Sequence, residues 1–152
     1  MRLIDPYLDL PTYKKIVKKY GGEYSLLETL ALRGIGSPKL DYISGLAEFD
    51  KIHELNDLER SVINFELLKS GLIIRINKRQ HLAVLILSLD ELESIIMTSW
   101  PIQVNGRELR EGKLIVNFKD QTNLVFHVSV QVFAGTGKYF SKKPFLPFFR
   151  LE

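Results

Sequence analysis

The places where this chain could carry chemistry are two glycine-rich stretches and three histidines. "AGTGKY" (Ala134 to Tyr139) has the glycine-lysine ending of a phosphate-cradling loop, whose backbone N–H groups and lysine surround a phosphate. That loop needs a glycine where Val132 stands, and Ser or Thr where Tyr139 stands. "GIGSPK" (Gly34 to Lys39) opens like a dinucleotide-binding turn, but its third glycine position is Lys39 and no βαβ unit surrounds it. Both stretches read as turns. In "HELND", His53 begins the spacing of a zinc-protease helix, yet Asp57 occupies the second histidine's place. His81 sits beside a turn and His127 on the polar face of a strand, so the histidines read as structural. Carboxylates are dense over residues 48–66, but no spacing sets two around a substrate. The absence of cysteine excludes disulfides, thiol catalysis and thiolate metal sites. The expectation is a protein that is not an enzyme, with no catalytic residues, no metal and no cofactor.

Composition bounds the remainder. The 152 residues, 45% hydrophobic and 26% charged, suit one globular domain with a full core. The net charge of +3 is unevenly spread: residues 1–20 carry +3, 21–60 carry −4, 61–100 balance, and 101–152 carry +4. The basic pI near 9.1 reflects two basic ends, which argues against nucleic-acid binding. Asp5, Pro6 and Asp9 break any signal-peptide core, and the lack of cysteine suits a reducing, cytoplasmic setting. The most hydrophobic stretch, Phe65 to Met97, holds an uninterrupted apolar run only from Leu82 to Leu87. A spanning helix needs roughly 20 such residues, so this stretch is expected to build a core. The terminal Leu151-Glu152 reads as a tag scar.

The first third reads helical. Tyr13, Ile16, Val17 and Tyr20 share one helix face, with Lys14, Lys15, Lys18 and Lys19 opposite. Pro11 suits the first turn and Gly21-Gly22 the end. Ser25 and Glu28 form a capping box for a second short helix that Gly34 would close. From Ser37 to Leu58 an apolar residue recurs every third position, giving no single helical face; at least two pieces, with a break near Gly45, are expected. Residues 56–71 admit a helix capped by Asn56, but a strand from Val62 to Lys69 is preferred, turning through "KSG" with Gly71 at positive φ. Further strands are expected at 72–77, 82–88, 101–105, 107–110, 113–119 and 123–133, with Asn105-Gly106 and Glu111-Gly112 as turns. Ser88 and Glu91 form another capping box, placing a short helix through Leu89, Leu92, Ile95 and Ile96.

The run "FELLKSGLIIRINKRQHLAVLILSLDELESI" is similar to the opening of bacterial pleckstrin-homology-like (PH/GRAM-like) domains, with the resemblance spanning residues 62–133. It implies a binding module for phosphoinositide head groups or peptides, and would place head-group contacts at Lys78 and Arg79. Such domains close with an amphipathic helix, whereas Gly135, Gly137, Pro144 and Pro147 here argue against a long one.

The expected fold is α+β: N-terminal helices (1–61) packed on an antiparallel, barrel-like sheet of about seven strands (62–133). An extended aromatic tail (134–150) completes one domain. The leading functional expectation is a binding or scaffold module for a protein or peptide partner. Its candidate contacts are Phe145, Phe148, Phe149, Lys142 and Lys143 in the tail. The alternative is an anionic membrane bound by Lys14, Lys15, Lys18, Lys19, Lys78 and Arg79. A homo-oligomer is compatible with either.

Overall fold

The structure, a computed structural model, describes residues 1–55 and 58–152. Asn56 and Asp57, read above as a helix cap and a histidine replacement, lie outside the described residues. The chain begins on a strand rather than a helix. β1 (Arg2–Ile4) pairs antiparallel with β5 (His81–Ser88). α1 (Leu10–Lys18) follows as expected: Asp9 caps it by accepting from Thr12 N, Pro11 sits in its first turn, and Gly21 and Gly22 leave it at φ 89° and 79°. α2 (Leu26–Ala31) carries the capping box at Ser25 and Glu28, and none of its residues is buried.

The period-three segment divides at Gly45 as expected, and only its second piece is a helix. The segment is a strand, β2 (Leu40–Ser44), a break at Gly45, and a helix, α3 (Ala47–His53). Next, β3 (Val62–Leu67), β4 (Gly71–Lys78) and β5 form an antiparallel meander. Leu72, Ile74 and Ile76 enter the main core, while Ile73 joins a second cluster with Ile16, Val17, Leu68 and Ile86. Burial on both faces explains the near-continuous apolar run there. Gly71 is not at positive φ; it is required because a Cβ would stand 2.7 Å from that of Tyr20.

The Ser88–Glu91 capping box forms in both directions, but around a single 3₁₀ turn (Leu89–Glu91). The expected helix is instead strand β6 (Leu92–Val104), paired over its length with β7 (Arg107–Phe118). Asn105 and Gly106, at φ 51° and 75°, make the hairpin turn between them. Glu111-Gly112 is not a turn but lies inside β7, where a Cβ on Gly112 would fall 2.2 Å from the Thr98 carbonyl oxygen.

β8 (Asn123–Val128) stops five residues short of its expected end, and α4 (Val130–Phe140) begins at once. Val132, Thr136, Tyr139 and Phe140 form its inward face, an i, i+4, i+7, i+8 pattern that overlaps the strand alternation before it. The tail is therefore not extended from residue 134. It is a helix, a series of turns, and a last strand, β9 (Phe149–Leu151). β9 runs parallel to β6, with Leu151 opposite Met97.

Among the described residues the sheet has nine strands in the order β1-β5-β4-β3-β2-β8-β7-β6-β9. It is mixed, not wholly antiparallel, and not a closed barrel. Closure would require β5 to meet β6, but β1 and β9 occupy those two edges. The main core gathers Phe49, Phe65, Phe118, Phe126, Phe140 and Phe145, all fully buried. Rings meet edge to face, with Phe65 centred 5.4 Å from Phe126 and 5.3 Å from Phe140.

Candidate functional site

The two glycine stretches set aside as turns face one another across a groove. α2 ends through Arg33 and Gly34, at φ 57° and 95°, and the chain runs on through Gly36, Ser37 and Pro38 along α4. Gly135 permits this approach, since a Cβ there would lie 3.1 Å from Pro38 Cγ. Tyr139 Oη donates to the Ile35 carbonyl at 2.9 Å, and Lys142 Nζ to the Gly34 and Leu32 carbonyls at 2.6 and 3.3 Å. The loop and α4 are thus fastened at the groove's floor. The space between them is about 770 Å³. Gly137 and Lys138 lie in helical backbone, so "AGTGKY" cannot cradle a phosphate as a loop.

The groove is basic. Arg33, Lys138, Lys142 and Lys143 line it and, among the described residues, no carboxylate does. Arg33, Lys138 and Lys143 are exposed, and none has a carboxylate partner among the described residues. Lys142 is held differently, its Nζ 4.6 Å from the centre of the Tyr139 ring. Partial burial lowers its pKa below that of an ordinary lysine. The Tyr139 phenol is pushed well up, first by burial and then by Glu66 and Tyr24. The two serine hydroxyls, like that of Tyr139, are occupied: Ser37 Oγ donates to the Pro38 carbonyl and Ser141 Oγ to the Gly137 carbonyl. The free recognition chemistry is positive charge over an apolar floor. Beside it, α2 turns Leu26, Leu27 and Leu30 outward, each between 66 and 79% exposed.

The residues expected to act together are partly separated. Lys142 and Lys143 lie on the groove. Phe145 is buried in the core behind it, and Phe148 and Phe149 are half-buried against that core. Lys14, Lys15, Lys18 and Lys19 remain exposed on α1. Lys78 is not a solvated turn residue: it ends β4, is 2% exposed, and donates its Nζ to the His53 carbonyl. It follows the inward parity of Leu72, Ile74 and Ile76, so it leaves the opposite sheet face from the one α1 covers. Arg79 pairs with Glu59. The α1 lysines and the Lys78–Arg79 turn do not form one surface. Sequence reasoning left Arg33 and Lys138 out of the candidate contacts; their signal was a basic residue beside "GIGSPK" and another inside "AGTGKY".

The histidines are dispersed. His53 Nδ1 is 2.7 Å from Ser61 Oγ, and His81 begins β5 exposed. His127 lies 3.6 Å from Asp41 and 3.3 Å from Glu111 on the sheet. Among the described residues, no group of three or more His, Cys, Asp or Glu is arranged to hold a metal. No helix among them is long and apolar enough to cross a membrane. Comparison with protein-family models, curated proteins and solved structures finds no match for this chain.

Proposed function

We propose that the chain is a non-catalytic binding module whose groove takes an acidic, partly apolar peptide segment of a protein partner. The observation that carries this reading is the set of cations Arg33, Lys138 and Lys143 around a concave floor, with no carboxylate partner or lining carboxylate among the described residues. Charge of one sign in a cleft attracts and orients an oppositely charged ligand. The α2 leucines beside the groove give such a segment apolar side chains to meet. A helix after the last antiparallel strand supports the likeness to pleckstrin-homology-like binding domains, while the open sheet edges depart from their barrel.

A labelled peptide of alternating Glu and Leu tests the reading, with a Lys-Leu peptide as control. Fluorescence anisotropy is expected to show binding of the acidic peptide alone, weakening with added salt. The double substitution K138E/K143E should weaken it at least tenfold, about 1.4 kcal/mol. Absence of binding at low salt, or binding indifferent to the double substitution, would defeat the proposal.

A second reading, an anionic membrane surface, is favoured by one observation: α2 buries none of its three leucines. It predicts co-sedimentation with anionic vesicles that L26S/L27S abolishes. Here Lys78 and Arg79 would take no part.

A further inference from the structure

The β6–β7 hairpin outruns the sheet. β8 pairs with β7 only at Gly112–Asn117, and β9 with β6 only at Ile95–Met97. Residues 98–111 therefore form a two-stranded arm whose two edges are open among the described residues. At 3.4 Å per residue the arm reaches roughly 20 Å. A two-stranded ribbon is marginal by itself, and an open edge invites another strand.

The two edges are not equivalent. Ile95 N donates to the Phe148 carbonyl and the Met97 carbonyl accepts from Glu152 N. Odd-numbered β6 residues thus aim their backbone groups at the outer edge. The register is unbroken from Ser94 to Val104, so the N–H that Pro101 lacks is missing from that edge. Proline there blocks pairing.

On β7 the parity is reversed. Arg110 lies opposite Pro101, and Phe118 N donates to the Thr122 carbonyl on the β8 side. Even-numbered residues aim toward β8. Beyond the end of β8, Glu108 and Arg110 direct their N–H and C=O groups to an open edge, and both side chains are exposed.

The sequence of that edge, Arg107-Glu108-Leu109-Arg110-Glu111, is its own electrostatic complement when reversed. Set antiparallel against a second copy about Leu109, Arg107 faces Glu111, Glu108 faces Arg110, and Leu109 faces its equivalent. We propose that two copies of this chain pair through the β7 edge at residues 107–111, joining their sheets across a two-fold axis. Directly opposite residues put side chains on the same face, so each opposite-charge pair meets. Glu108 and Arg110 of each copy exchange both backbone bonds, giving four across the axis. Such a contact is isologous and closed. Within each copy, Arg110 donates to Ser99 Oγ and Glu111 accepts from Trp100 Nε1, which braces both side chains along the arm. This pairing is independent of the groove reading.

Sedimentation velocity tests it over a range of about 1 to 500 µM, suited to an interface below standard size. A concentration-dependent dimer is expected. E108R sets like positive charges against Arg110 of the other copy at both crossings, and should shift the dissociation constant at least tenfold; R110E should do the same with negative charges against Glu108. The swap E108R/R110E restores opposite charges and the dimer. In the unaltered protein, amide exchange at Glu108 and Arg110 should slow as concentration rises. A monomer at the highest concentration would overturn the proposal, as would a dimer indifferent to E108R or a swap that fails to restore it.

Discussion

Tyr42 shows how much one side chain can bind together. Its ring is buried against Phe49 and Phe126, while its hydroxyl donates to Asp50 Oδ1 at 2.6 Å and accepts from Leu46 N at 3.0 Å. Burial, then the Asp50 carboxylate, pushes the phenol well above its ordinary value of 10.0. The folded chain therefore keeps a proton that the unfolded chain releases once pH passes the ordinary value. The stability linked to Tyr42 is complete below about pH 10 and declines as pH rises toward the folded value. Tyr42→Phe should cost about 1.5–3 kcal/mol at neutral pH, and should flatten the fall in melting temperature between roughly pH 9 and 11. Thermal unfolding followed across that range checks both. Lys78 teaches a different lesson. Its inward parity was legible in "LIIRINK", but nothing local reveals the carbonyl of His53 that receives its amine 25 residues upstream. A lysine in a turn sequence reads as solvated unless the element behind it is known.

At the scale of elements, local signals located ends better than identities. The capping boxes at Ser25 and Ser88 both form, yet only the first opens an α-helix. After Ser88 one turn suffices, because Ile95, Ile96 and Thr98 favour a strand and β7 supplies a partner for every residue from Ser94 to Val104. Glu111-Gly112 has turn composition but a strand position, for a reason that sequence hides: the Thr98 carbonyl stands where a Cβ would go. Gly112→Ala must part the two strands at the arm's base, and should destabilise by about 1–3 kcal/mol. A urea titration with unchanged slope would register this as a shift in midpoint; a midpoint within error of the unaltered protein would contradict the account. α4 was obscured because Val128, Val130 and Val132 fit period two as well as a helical face. The groove was obscured with it, since Arg33 and Lys138 become neighbours only once α4 exists.

In the whole molecule, the sheet consists of two local meanders, β3-β4-β5 and β6-β7-β8, each built from strands adjacent in sequence. Their sequence signals were good for that reason: turns and alternation specify neighbours. What joins them was not legible, because β2 comes from the period-three segment and one of its two partners, β8, lies far along the chain. β2 sits between β3 and β8, with Leu40 and Asp41 opposite Ile63 and Val62 on one side and Asp41, Tyr42 and Ser44 opposite β8 on the other. Among the described residues, a five-residue strand is thus the sheet's sole seam between its halves. The seam has a kinetic consequence. Meanders close short loops and assemble early, whereas β2 must find both partners at once, across long stretches of chain. Its contacts belong on the native side of the folding barrier. Leu40→Ala should accordingly accelerate unfolding by most of its roughly 2–5 kcal/mol cost, about thirtyfold or more, while leaving the refolding rate nearly unchanged. Stopped-flow traces in denaturant would show this as a raised unfolding arm alone; a matching loss on the refolding arm would make β2 part of the nucleus instead of the last stitch.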